Sequence, residues 1–186
     1  MYKICRSEQS FLRQRNLEKG LLQLMLKHNY EDISVSDLCG YMQIPRKSFY
    51  RYFSSKDGAL YALIDHTLTD FYEMPMPKNK ARGTAVGELD LFFVFWYERK
   101  DLLDALQRSS LSGILVERAN MFALQEGLLP RKFKTLRPDV REIAMTFSIS
   151  GLMSMVFSWH RSNFSLSTDE ITQLAVNILT NPLLIR

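Results

Sequence analysis

The stretch from Arg46 to Tyr52 collects side chains that can bind a polyanion. It reads RKSFYRY, and so places cations, a serine hydroxyl and phenol groups within seven positions. Arginine and lysine can donate to guanine O6 and N7 or to phosphate oxygens, and hydroxyls add neutral donors. The residue types therefore indicate non-covalent recognition of nucleic acid. A solvated basic patch with packed tyrosines is the alternative that this stretch leaves open.

The positive charge of the chain is concentrated in the same region. Residues 1–56 carry ten Lys/Arg against five Asp/Glu, whereas residues 57–186 carry fourteen against fifteen. A local basic excess is typical of a surface that binds a polyanion. Five charges are few, so a chance distribution is the competing explanation.

Other chemistries find little support in the sequence. The two cysteines, Cys5 and Cys39, and the three scattered histidines show no metal-ligand spacing, and we expect no metal and no cofactor. No phosphate loop, nucleophile elbow or carboxylate pair is present, so an enzyme is not expected. No signal peptide and no apolar run of about 20 residues is evident, so we expect a cytoplasmic protein without a membrane span.

Helical periodicity and caps predict an all-α fold. Proline and glycine divide the chain into blocks, with a linker at 74–83 and an irregular connection at 128–138. Ser34 and Asp37 form a capping-box pattern, Pro45 suits a first helical turn, and Asp139 and Thr168 are candidate caps. The predicted helices are 8–28, 34–42, 45–52, 54–72, 85–99, 100–109, 114–126, 139–160 and 168–179.

The second and third predicted helices are joined by about three residues and so form a helix-turn-helix. In this motif the second helix enters the major groove, with its first residues at the base edges. Arg46 and Lys47 lie at that end of the helix. Phe49 and Phe53 are four positions apart and are expected to anchor the opposite face in the core.

A set of residues in the segment Ile33–Leu63 together follows a known pattern: Ile33, Ser34, Val35, Asp37, Leu38, Ile44, Ser48, Phe49, Tyr50, Tyr52, Phe53, Ser55, Lys56, Asp57 and Leu60. Through these residues the segment resembles the DNA-binding domain of the TetR family of transcriptional regulators. Three positions depart from the family pattern: Asn29 and Gln43 stand where glycine is common, and Pro45 stands where a capping serine is common.

The resemblance implies a site and a domain plan. The groove floor would be contacted by Arg46, Lys47 and Tyr50, and the phosphates by Ser34, Ser36, Ser48, Tyr52 and Lys56. Residues 1–56 would be the helix-turn-helix domain, 57–73 a connecting helix, and 74–186 a helical regulatory and dimerisation domain. The expected function is a ligand-responsive repressor that binds double-stranded operator DNA as a homodimer. The alternative is a TetR-like adaptor or coactivator that binds another regulatory protein.

The C-terminal helices supply candidate surfaces for these roles. The helix 139–160 is apolar on more than one face, which favours burial on both sides. The expected dimer interface comprises Ile143, Phe147, Gly151, Met155, Trp159, Ile171, Leu174 and Ile178, with burial inside one subunit as the alternative. A pocket for an apolar or aromatic effector is predicted at Phe92, Phe93, Trp96, Met121, Phe122 and Phe147, although such aromatic groups are more often core.

Overall fold

The computed structural model describes residues 1–75, 84–125 and 134–180 of the chain. Within these ranges regular structure is helical, apart from an isolated antiparallel bridge between Tyr2 and Phe53, so the predicted all-α class is confirmed. The α-helices are α1 (Glu8–Met25), α2 (Val35–Tyr41), α3 (Arg46–Phe49), α4 (Lys56–Glu73), α5 (Ala85–Tyr97), α6 (Lys100–Arg108), α7 (Ser112–Ala123), α8 (Pro138–Arg161) and α9 (Thr168–Thr180). A 3₁₀ turn, Tyr30–Asp32, connects α1 and α2.

The helix-turn-helix is present, with its first helix capped as predicted. The Ser34 hydroxyl accepts the Asp37 amide at 3.1 Å, and the Asp37 carboxylate accepts the Ser34 amide at 2.8 Å. Two predicted limits were wrong. Pro45 is the extended N-cap of α3, with ψ 142°, and α3 ends at Phe49, because the chain then turns with Tyr52 N–H bonded to the Phe49 carbonyl.

The predicted limits of several other helices also needed correction. Helix α1 ends at Met25, where 3₁₀-type bonding tightens the last turn, and α7 occupies Ser112–Ala123. Helix α8 begins at Pro138, whose ring presets the first helical φ, so Asp139 is not its cap. Ser167, not Thr168, caps α9. Its hydroxyl accepts the Glu170 amide at 3.2 Å, and the Glu170 carboxylate accepts the Ser167 amide at 2.7 Å.

The chain divides into two compact units that are each built from separate segments. The first unit comprises Met1–Thr69 and Asp101–Arg118, and the second comprises Asp70–Lys100 and Ala119–Arg186. Residues 101–118, which the sequence assigned to the regulatory domain, thus pack in the first unit. The functional boundaries at 56 and 73 stay a prediction. Most of the predicted linker (76–83) and part of the connection after α7 (126–133) lie outside the described residues.

The core of the first unit sits under the helix-turn-helix. Its largest fully buried side chains come from α1 to α4, from the connection between α3 and α4, and from α6: Leu21, Met25, Leu38, Phe49, Phe53, Leu60, Ile64, Leu103 and Leu106. Gly20 allows α1 to approach α2 closely, since a Cβ there would clash with the Met42 sulfur. The short helices α2 and α3 are therefore held by packing, because helices of this length are marginal alone.

The core of the second unit is aromatic. Phe93 and Trp159 meet edge to face at 5.9 Å between ring centroids, and Trp159 meets Phe164 at 4.8 Å. Helix α8 supplies Trp159. By its length and its mean hydropathy of 1.3, this helix could cross a membrane. The core helix of a globular protein can have the same length and composition. From the sequence we expect no segment of this kind.

Candidate nucleic-acid interface

Helix α3 has one buried face and one exposed face. Phe49 is fully buried and contacts Phe53 with 5.2 Å between the ring centroids, which fixes the helix on the core of its unit. Arg46, Lys47 and Tyr50 are exposed on the remaining surface, as the helix-turn-helix prediction requires. A rigidly anchored helix with exposed donors can present them to a ligand without first ordering a mobile chain.

Arg46 and Tyr50 are paired on the exposed face. The guanidinium donates to the Tyr50 hydroxyl at 3.3 Å and lies 5.9 Å from the centre of its ring. The two residues are four positions apart, where helical side chains meet. The hydrogen bond raises the pKa of Arg46, a residue that is charged at physiological pH in any case. The pairing places one cation and one phenol side by side on the exposed face.

The turn between α2 and α3 keeps its tight geometry despite the missing glycine. Gln43 adopts the left-handed conformation, with φ 53°, at the position where the family pattern has glycine. The Ile44 amide then bonds the Cys39 carbonyl at 3.0 Å. A non-glycine residue in this conformation costs roughly 1–2 kcal/mol. The departure at Gln43 therefore has a cost in stability, while the turn keeps its hydrogen bond.

Lys56 is placed at the start of α4, but its ammonium is already engaged. It donates to the Tyr30 carbonyl at 2.6 Å and lies 4.1 Å from the centre of the Tyr30 ring. The Tyr30 hydroxyl donates in turn to Asp57 at 2.6 Å. Lys56 therefore joins α4 to the connection between α1 and α2, and any phosphate contact would be made by a lysine held in place.

The remaining predicted contacts surround α3 without forming one cluster. Ser34 is exposed, and its hydroxyl is occupied by the capping box, where it also donates to Asp37 at 2.6 Å. The bonds to Ser34 lower the pKa of Asp37. Ser36 is exposed at the start of α2, whereas Ser48 and Tyr52 are half-buried. Their role towards phosphates stays a prediction.

One part of this surface had no signal in the sequence. The leading segment, which we define as Met1–Arg6, runs beside the residues that follow α3. The Lys3 amide donates to the Tyr52 carbonyl at 2.9 Å, and the Ser54 amide donates to the Met1 carbonyl at 3.1 Å. No helical or strand periodicity marks these residues, because a single bridge leaves no repeating pattern.

The predicted pocket residues in the second unit do not surround one space. Phe92, Phe93 and Trp96 are buried, and Phe92 meets the other two rings at 5.3 and 6.3 Å. Phe122 packs on Tyr72, while Met121 and Phe147 are exposed. A cavity of about 360 Å³ lies elsewhere in this unit. Its lining is Thr84, Val86, Gly87, Asp90, Asp169, Thr172 and Gln173.

The predicted interface residues separate into exposed and buried groups. Ile143 and Phe147, one helical turn apart on α8, are 72% and 74% exposed. Gly151 and Leu174 are also exposed, and Met155 and Ile178 are half-buried. Trp159 and Ile171 are buried within the unit. Ile143, Phe147 and Gly151 follow one another at four-residue spacing and so share one exposed face of α8, whereas Trp159 and Ile171 belong to the core of the unit.

No family model and no curated relative matches the chain. Solved structures do match, at low sequence identity. A TetR-family transcriptional regulator from Streptomyces coelicolor is 21% identical, with a TM-score of 0.59 over 90% of this chain and 79% of that chain. The TetR-family repressor AlkX from Dietzia sp. strain DQ12-45-1b, described as implicated in n-alkane biodegradation, is 16% identical, with a TM-score of 0.55 over 90% and 93%.

A third similar structure is described as the dihydroxyacetone kinase operon activator DhaS. It is 16% identical, with a TM-score of 0.54 over 90% of this chain and 93% of that chain. All three are described as regulators or activators of gene expression. At these identities the likeness concerns the fold. The chain therefore has the all-helical fold of the TetR-family regulators, with the helix-turn-helix in its N-terminal part.

Proposed function

We propose that the chain is a sequence-specific DNA-binding transcriptional regulator. The observation that carries this proposal is the exposed Arg46, Lys47 and Tyr50 face of α3, whose opposite face is anchored by Phe49. In a helix-turn-helix this is the surface that enters the major groove. Arg46 and Lys47 would donate to base edges, and Tyr50 would contribute its hydroxyl. The excess of five positive charges in residues 1–56 would attract the phosphate backbone.

The regulator would act as a homodimer. Supporting this, α8 exposes Ile143 and Phe147, and a Cβ added to Gly151 on the same helix would meet no atom of the described residues within 4 Å. Small residues allow helices to approach closely, and an isologous two-fold contact would match two operator half-sites one helical turn apart. Leu174 on α9 would add to the same interface.

The proposed mode of action is repression released by a small apolar or aromatic effector in the cytoplasm. The support is the aromatic content of the second unit, where Phe92, Phe93 and Trp96 pack ring to ring. These rings would have to part to admit an effector. The description of AlkX, which names n-alkane biodegradation, is compatible with an apolar ligand class.

The test is DNA binding by the full-length protein over a range of salt concentrations. The probe is the DNA immediately upstream of its own gene, measured by gel shift or fluorescence anisotropy. Lys47→Ala should weaken binding by roughly 5- to 150-fold, since a good base contact contributes about 1–3 kcal/mol. Lys100→Ala is the matched control, because Lys100 is an exposed lysine of the second unit. Both variants should keep the wild-type melting temperature.

Two results would count against the proposal. Normal binding by a folded Lys47→Ala protein would remove α3 from the interface. A log–log salt slope near zero for the wild type would remove the phosphate contacts. The adaptor alternative predicts instead that the wild type does not bind the DNA and that a protein partner binds the same face.

A further inference from the structure

The leading segment is bonded to the end of the helix-turn-helix. Its backbone pairs with the residues after α3 through the Lys3 amide on Tyr52 and the Ser54 amide on Met1. The Ser54 hydroxyl also donates to the Met1 carbonyl at 2.8 Å. These bonds run on both sides of the bridge between Tyr2 and Phe53. The segment is thus continuous with the surface proposed to bind DNA.

Tyr2 anchors the segment inside the first unit. Its hydroxyl donates to Asp65 of α4 at 2.6 Å, and Arg118 donates to both carboxylate oxygens of Asp65. The Tyr2 ring also meets His66 edge to face at 5.7 Å. Burial, together with the bond to Asp65, raises the pKa of Tyr2, so the phenol stays a donor. A phenol bonded to a paired, buried carboxylate is costly to withdraw.

Two further residues accommodate the backbone of the leading segment. Gln14 of α1 is fully buried and donates to the Lys3 carbonyl at 2.9 Å. Gly58 of α4 leaves room for Met1, since a Cβ at that position would lie 2.5 Å from the Met1 carbonyl oxygen. A glycine inside a helix costs about 1 kcal/mol relative to alanine. At Gly58 the missing side chain makes space for the leading segment.

The anchoring of Tyr2 decides where Lys3 points. Side chains alternate along extended backbone, so when Tyr2 faces the protein its neighbours face away from it. Lys3 is accordingly exposed, and its amide is bonded to Tyr52, a predicted phosphate contact. A positive charge held at this place extends the basic face of the helix-turn-helix beyond α3.

We propose that Lys3 is a further DNA phosphate contact and that Tyr2 is the residue that positions it. This inference rests on the proposed DNA binding, and it assigns to the leading segment a part in that surface. Its chemistry is that of a lysine ammonium on a phosphate oxygen, which adds affinity without reading sequence. Its signature is therefore a change in salt dependence that is the same for all DNA sequences.

The experiment uses the full-length protein and the upstream DNA, with the dissociation constant measured from low to high salt. Lys3→Gln should lower the magnitude of the log–log slope by about 0.9, the contribution of one phosphate contact. Affinity near 0.1 M salt should fall roughly 3- to 10-fold by the same relation. Lys100→Gln removes an equal charge from the second unit and should leave the slope unchanged.

Two variants test the positioning role without touching Lys3. Tyr2→Phe keeps the ring but loses the bond to Asp65, and Gly58→Ala closes the space that Met1 occupies. Each should reproduce the slope of Lys3→Gln while the protein stays folded, and Tyr2→Phe combined with Lys3→Gln should show no further loss. A merely structural role would lower the melting temperature and leave the slope unchanged.

The outcomes separate this inference from the proposed function. If the wild type binds DNA and Lys3→Gln keeps its slope, the phosphate contact is wrong and the proposed function stands. If the losses from Tyr2→Phe and Lys3→Gln simply add, the positioning role is wrong. A wild type that binds no DNA overturns both.

Discussion

The helix-turn-helix and helix α8 use their apolar residues in opposite ways. Helices α2 and α3 have 7 and 4 residues, and they bury Leu38, Cys39 and Phe49 against the rest of the first unit. Helix α8 has 24 residues but buries five, and it leaves Ile143 and Phe147 in solvent. Exposed apolar surface in continuous patches marks contact sites. The helix-turn-helix thus buries its apolar residues within its own unit, whereas α8 keeps apolar side chains that the described residues leave exposed.

The largest effect should come from the buried phenylalanine of this comparison. Phe49→Ala should lower the free energy of unfolding by about 3–5 kcal/mol, because it leaves a cavity under α3. Phe147→Ala removes the same group from an exposed position and should change the stability of a monomer by less than about 0.5 kcal/mol. Urea unfolding at low protein concentration measures both. Equal losses would mean that α8 is covered within a single subunit.

The second largest effect should be on the dissociation constant of the proposed dimer. Phe147→Glu would place a charge in the middle of the proposed interface, so it should weaken the dimer by about 2 kcal/mol or more, roughly 30-fold in the dissociation constant. Sedimentation velocity over a concentration series gives the constant. Leu12→Glu is the control, since Leu12 is an exposed leucine on α1 of the first unit. A dimer that tolerates Phe147→Glu but not Leu12→Glu would move the interface to α1.

Two glycines, one in the helix-turn-helix and one in α8, test the same comparison through a smaller change in stability. A Cβ added to Gly40 in α2 or to Gly151 in α8 would meet nothing within 4 Å among the described residues of one subunit. Gly40→Ala should therefore raise the free energy of unfolding by about 0.5–1 kcal/mol through helix propensity. Gly151→Ala should give the same gain to the monomer but weaken the dimer, because the methyl group would separate the paired helices. Thermal unfolding and sedimentation together distinguish the two effects, and an unchanged dimer would place Gly151 outside the interface.

The smallest effect is a pH dependence shared by both units. Hydrogen bonds from Ser34 and Ser167 lower the pKa values of Asp37 and Glu170 in the folded protein. A lowered pKa stabilises the fold above the unfolded value, about 4, and the contribution is lost as the pH falls through the folded value. Asp37→Asn and Glu170→Gln should each flatten the fall in melting temperature between pH 5 and roughly 3. Curves parallel to the wild type would exclude these caps as a source of acid sensitivity.

The sequence predicted the fold better than the site because the two depend on different distances along the chain. Helical spacing and the Ser34 capping box are local, and they located the helix-turn-helix. The sequence placed the caps of α8 and α9 one or two residues too late. The reason is that Pro138 and Ser167 have neighbours whose residue types suit a helix cap equally well. The bond from Lys56 to the Tyr30 carbonyl spans 26 positions, and that from Tyr2 to Asp65 spans 63. No local pattern encodes such contacts.

The contact between Lys56 and Tyr30 also makes a chemical distinction within the basic surface. An ammonium group that donates to a carbonyl at 2.6 Å and lies against an aromatic ring is less accessible to a reagent than one in water. Lys47 and Lys3 are exposed, whereas Lys56 is half-buried. Acylating reagents and acetylating enzymes would therefore modify the two exposed lysines first. The charge of this surface could be changed by modification while the lysine that joins α4 to the connection between α1 and α2 is spared.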